Sequence, residues 1–161
     1  MHTGLAEIID ALAARSADGD ADIEDEHGRW SLYRRSFDRA ECRRRLLDAV
    51  AAEPDPNVAL GIVLEMLGRI APADRPRWVA RLPTARGRDL ASRRARELAV
   101  HESGSVSDLL EDGAEESWSD WLQLLLAESS AEPAVLRRMA ERGRTKRIRR
   151  TALQRLKDLK A

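Results

Sequence analysis

Three features of the sequence predict an all-α fold. Ala, Leu, Arg and Glu dominate a chain of 161 residues in which aromatic residues make up 4%, a composition that favours helix. Apolar residues recur at steps of three and four, and no stretch shows the two-residue alternation of a strand. Prolines, glycines and capping side chains stand between these stretches, where helices start and stop. Together they predict roughly eight or nine helices in a single domain, with residues 1–35 forming an N-terminal helix plus an acidic loop and 36–161 a set of helical hairpins.

Thr3 is placed to cap a first helix through about Ala14, whose buried stripe is Leu5, Ile8, Ile9 and Leu12. The next stretch, SADGDADIEDEHG, has six acids from Asp18 to Glu26 and Ile23 as its one large apolar residue, which predicts a solvated loop. Trp30, Leu32, Tyr33 and Phe37 then form the densest aromatic cluster. Ser36 reads as the N-cap of a helix through about Ala52, with Cys42, Leu46, Leu47 and Val50 facing inward. The turn EPDPN ends it, and Asn57 is placed to cap VALGIVLEMLGRI, which is apolar on nearly all sides around Ile62 and so reads as the most buried helix.

A second hairpin pairs Pro72–Leu82, bearing Trp78, with about Thr84–His101, bearing Leu90, Ala91, Ala95, Leu98 and Val100. A third joins a short Val106–Glu111 piece, through Asp112-Gly113, to Glu115–Glu128 with its broad face of Trp118, Trp121, Leu122, Leu125 and Leu126. The fourth is Glu132–Leu159. Pro133 suits a first helical turn, Gly143 stands where a helix end takes a left-handed residue, and Thr145 can cap the returning helix. Its apolar seam of Val135, Leu136, Met139, Ile148, Ala152, Leu156 and Leu159 must be covered by something upstream.

Hairpin seams centred near Ile62, Ala95, Leu122 and Ala152 lie 33, 27 and 30 residues apart. With DPNVALGIVLEML and GRTKRIRRTALQRL, this spacing resembles the HEAT-like and armadillo-like α-solenoid repeats, in which a basic residue precedes a small one and then a leucine. Arg94-Ala95 with Leu98, and Arg150-Thr151-Ala152 with Leu156, match that order, whereas Val58–Met66 lacks the arginine and the repeats are shorter than the family's ~40 residues. The resemblance implies a short solenoid of about four hairpins that holds another macromolecule and carries no catalytic residues. An irregular compact helical bundle is the alternative.

The net charge is zero, yet the charges are sorted. Glu102–Leu136 holds nine acids and no Lys or Arg, Arg137–Ala161 holds eleven bases against two acids, and the first 101 residues balance at 17 each. Such sorting concerns partners rather than fold. Two candidate acidic faces result: Asp18, Asp20, Asp22, Glu24, Asp25 and Glu26 beside Trp30, and Asp112, Glu115 and Glu116 beside Trp118. The expected partner is a protein with a basic surface, and the most concrete version is a small bacterial immunity or inhibitor protein that blocks a toxin or enzyme. Arg144, Lys146, Arg147 and Arg150 form the alternative basic surface, which would bind nucleic acid as HEAT-like DNA alkylation-repair proteins do. The neutral chain and the lack of aromatics near that helix weigh against it.

Other chemistry is weakly represented. The Asp18-x-Asp20-x-Asp22-x-Glu24 alternation begins like a calcium loop, but Ile23 replaces its sixth-position glycine and Arg29 its twelfth-position glutamate. His2, His27, His101 and the single Cys42 have no ligand spacing, and neither a nucleophile motif nor a glycine-rich phosphate loop is present. The expectation is a non-enzyme without a cofactor. The N-terminus lacks the basic start and unbroken apolar run of a signal peptide, and no run reaches the ~18 residues of a membrane span, so a cytoplasmic protein without membrane contact is expected.

Overall fold

A computed structural model describes residues 4–14, 25–110 and 113–159. The cap assigned to Thr3 therefore lies outside the described residues. Among those residues the chain forms ten α-helices and three short 3-10 turns, with no strand. It divides into two compact units, Met1–Ala95 and Arg96–Ala161.

In the first unit, α1 (Leu5–Ala13) buries Ile8, Ile9 and Leu12 and packs on α2 (Glu26–Ser36) and α3 (Arg43–Ala52). Arg29, Leu32, Tyr33 and Ser36 occupy i, i+3, i+4 and i+7 of α2 and make its buried stripe. Within the stretch expected to be a solvated loop, the residues before Asp25 lie outside the described residues, and the Asp25 carboxylate accepts a hydrogen bond from the Gly28 amide at 3.1 Å and caps the helix. Ser36 ends α2 instead of opening the next helix, because its hydroxyl donates back to the Leu32 carbonyl at 3.0 Å. The chain then passes through a 3-10 turn, Ala40–Cys42, that fully buries the Cys42 thiol.

The helix built around Ile62 is α4 (Pro56–Leu67), whose face of Ala59, Ile62, Val63, Met66 and Leu67 is fully buried. It packs on α2, on α3 and on the short α5 (Arg75–Val79). Its cap is Asp55 rather than Asn57: Pro56 takes the first helical position, where no N–H is needed, so the Asp55 carboxylate receives the Asn57 amide at 2.7 Å. The expected Pro72–Leu82 helix is shortened to a 3-10 turn, Pro72–Asp74, followed by α5; α6 (Ala85–Glu102) begins one residue after Thr84, whose hydroxyl accepts from the Gly87 amide.

The second unit contains α7 (Val106–Leu110), a 3-10 turn Ala114–Ser117, α8 (Asp120–Ser129), α9 (Pro133–Arg142) and α10 (Lys146–Asp158). The expected Glu115–Glu128 helix is split at Trp118, which is extended, and Ser119 caps α8 by accepting from the Leu122 amide at 3.3 Å. Helices α8, α9 and α10 pack on one another and α7 packs on α9. Their shared core includes Trp118, Leu122, Leu126, Leu136, Met139, Ile148 and Ala152. The terminal seam is thereby covered from upstream by α8.

Gly143 lies between α9 and α10 as expected, but with φ −53° and ψ 133° it is not left-handed. Glycine is required by space instead: a Cβ there would collide with the Met139 carbonyl and come within 2.7 Å of the Ile148 Cγ2. Gly143→Ala is expected to destabilise the protein by ~1–3 kcal/mol, the usual penalty for overpacking. Gly68→Ala, whose Cβ would meet nothing within 4 Å, is the control in denaturant melts, and equal losses would refute the steric account.

Glu132, in the α8–α9 connection, accepts hydrogen bonds from the Val106 and Ser107 amides at 3.2 and 3.1 Å and so ties α7 to α9. The Ser107 hydroxyl, aided by these amides and opposed by desolvation, holds the carboxyl below its ordinary value of 4.5. A lowered folded value stabilises above the unfolded pKa, and that contribution disappears as pH falls through the folded value. Glu132→Gln should therefore melt earlier than the parent near neutrality, with the gap closing in acid below about pH 4.5. A gap that is constant across the acid limb would contradict this.

Candidate functional site

The N-terminal end of α2 gathers three of the residues singled out in the sequence. Asp25 and Glu26 are exposed, and Trp30 is one turn beyond Glu26 on the same side. Trp30 is half-buried: its ring lies over Gly61 of α4, where a Cβ would stand 3.0 Å away, and meets Phe37 edge-on at 5.8 Å. Gly61 thus holds the indole in place while leaving part of it open. The backbone N–H of His27, together with that of Gly28, keeps Asp25 below the ordinary carboxylate range, so this end of the helix is anionic. Asp18, Asp20, Asp22 and Glu24 lie outside the described residues, as does Asp112.

A buried polar network fixes this helix. Arg29 Nη2 donates to Glu53 Oε1 at 2.9 Å, Arg29 Nε to Oε2 at 3.2 Å, and the Tyr33 hydroxyl to Oε2 at 2.8 Å. The Asp55 amide adds a fourth donor to Glu53. Arg29 is 6% exposed and Glu53 5%, so both charges are desolvated, and the carboxylate raises the arginine pKa. Burial, with the hydrogen bond to Glu53, also pushes the Tyr33 pKa up, which keeps the hydroxyl a donor. The network anchors the acidic, tryptophan-bearing end of α2 to the turn between α3 and α4. Sequence reasoning missed it, although Arg29 stands on the buried stripe of α2 where only a paired charge is tolerated.

In the second unit the two acidic candidates and the tryptophan separate. Glu116 is exposed, whereas Glu115 and Trp118 are 4% and 5% exposed and so are not surface groups. Trp118 belongs to the core, and Glu115 turns inward to within 3.4 Å of the Arg138 guanidinium. The basic candidates divide as well. Arg144 is engaged by the Asp120 carboxylate at 2.9 Å and by the Glu116 and Trp118 carbonyls, while its amide donates to the buried Gln123 side chain. Arg147 lies 3.8 Å from Glu128, and Lys146 and Arg150 are exposed. Part of the sorted charge is therefore paired, Asp120 of α8 with Arg144 of the α9–α10 connection and Glu128 of α8 with Arg147 of α10.

A further cleft, of about 290 Å³, opens in the first unit between Arg43, Arg44 and Arg77 over an apolar floor of Leu47, Ile70 and Trp78. Among the described residues no group of three or more His, Cys, Asp or Glu side chains could hold a metal ion, and no helix is long and apolar enough to cross a membrane. Compared with protein-family models, with curated proteins and with solved structures, the chain gives no match.

Proposed function

We propose that the protein is a non-catalytic binding scaffold whose hairpins stack in the HEAT-like manner, and that it recognises a protein with a basic surface through the N-terminal end of α2. The observation that carries this reading is the pairing of a rigidly seated, part-exposed Trp30 with exposed Asp25 and Glu26 on one helix end. A large aromatic with little freedom to lose is the usual anchor of a protein interface, and surrounding charges steer the partner. The acids Asp18, Asp20, Asp22 and Glu24 directly precede this face in the sequence. Its most concrete form is a small cytoplasmic inhibitor of the immunity type that covers a toxin or enzyme.

The test is affinity capture of the partner followed by stopped-flow association at several salt concentrations. Trp30→Ala is expected to weaken binding by roughly 2 kcal/mol or more. Neutralising Asp20, Asp22, Glu24 and Glu26 together should slow association several-fold and flatten its salt dependence, with the melting temperature nearly unchanged. A partner that is itself acidic, or an on-rate that follows Lys146, Arg147 and Arg150 and ignores the acids, would move the working face to the C-terminal hairpin and favour nucleic acid.

A further inference from the structure

The second unit has a cleft of about 560 Å³ between the C-terminal half of α8 and the outer face of α10, with Glu128 on one wall and Arg150, Thr151, Gln154, Arg155 and Asp158 on the other. Its charges are unequally satisfied. Asp158 already accepts from the Gln154 amide at 2.9 Å, and Glu128 faces Arg147 at 3.8 Å. Among the described residues neither Arg150 nor Arg155 has an ion-pair partner, and the Nε of Arg155 is buried without a hydrogen-bond acceptor. A buried N–H without an acceptor is uncommon in folded proteins and marks a place where an acceptor is missing. Arg155 lines the cleft together with a second guanidinium, that of Arg150, and the Thr151 hydroxyl on the same wall.

We propose that this cleft binds a small organic phosphate. Guanidinium forks match the oxygens of an oxyanion two at a time, and two of them with the Thr151 hydroxyl suit a dianion with three terminal oxygens. α10 supplies a favourable field, with Lys146, Arg147, Arg149, Arg150, Arg155 and Lys157 against Asp158 alone. The space exceeds that of bare phosphate several times, and Glu128 and Asp158 can accept from hydroxyl groups beside the phosphate, which a simple ion does not offer. The site uses no residue of the α2 face, so each stands or fails by itself.

The experiment is calorimetric titration of the full chain at low ionic strength with glycerol phosphate, inorganic phosphate, succinate and single-stranded oligonucleotides of two lengths. Glycerol phosphate should bind more tightly than the other small anions. Arg155→Met, which keeps the aliphatic stem, and Arg150→Gln, at an exposed position, should each weaken it at least about tenfold. Both variants should melt with the parent. Absence of glycerol phosphate binding, equal binding of inorganic phosphate or succinate, or affinity undiminished in Arg150→Gln would overturn the proposal. Oligonucleotide affinity that grows with length while glycerol phosphate fails would overturn it in favour of a nucleic-acid backbone as the source of the phosphates.

Discussion

Arg29→Met is expected to lower stability by roughly 3–5 kcal/mol, the largest loss of any single polar substitution in the first unit. The change leaves Glu53, whose side chain is fully buried, without its countercharge and with only the Tyr33 hydroxyl and the Asp55 amide as donors. Two desolvated charges in mutual contact contribute little net stability, but either one alone is severely unfavourable. Arg29→Met combined with Glu53→Gln should therefore recover much of the loss. Arg34→Met, at an exposed position of the same helix, should stay within ~0.5 kcal/mol. Urea melts of the four proteins decide the matter: a double variant no more stable than Arg29→Met, or a single-variant loss as small as that of Arg34→Met, would show that the pair is not coupled as the geometry requires.

Ile62→Ala carries the next largest expected effect, about 2–5 kcal/mol, because the side chain is fully buried on the face α4 turns to α2 and α3 and its removal leaves a cavity. Leu153→Ala, at a side chain half exposed on α10, should cost under ~0.5 kcal/mol. Melts in which both changes have the same cost would mean that the core is not centred on α4.

The parts of this structure that could be read from sequence are those fixed by local chemistry or by period. Pro133, Thr145 and the spacing of Val135, Leu136, Met139, Ile148 and Ala152 define α9 and α10 almost to the residue, since each signal acts within one or two helical turns. Ile8, Ile9 and Leu12 are buried as their spacing implies. Ser36 was misleading because a serine hydroxyl can serve either end of a helix, accepting from an amide ahead or donating to a carbonyl four residues behind, and the choice depends on what the neighbouring stripe buries. Asn57 lost its cap to Asp55 through the proline between them.

The candidate site was legible only in part. Glu26 and Trp30 could be found from composition, but their seat on Gly61, 31 residues beyond Trp30, could not, because contact across helices leaves no periodic trace. The same holds for Arg29 with Glu53 and for Arg144 with Asp120, pairs separated by 24 residues each. Glu115 shows the converse failure. In the sequence it is one more acid in an acidic run, and only the turn that follows Gly113 directs it inward toward Arg138.

The thiol enclosed by the Ala40–Cys42 turn is the only one in the chain and is shut off from solvent. Its alkylation rate is consequently a clock for local opening: reagent reaches the sulfur only when the packing around it opens, so the ratio of free-peptide to native labelling rates gives the opening equilibrium directly. No second cysteine dilutes the signal, and no engineered label is needed. Anything that makes the opening around this thiol rarer slows the clock without having to change the fold.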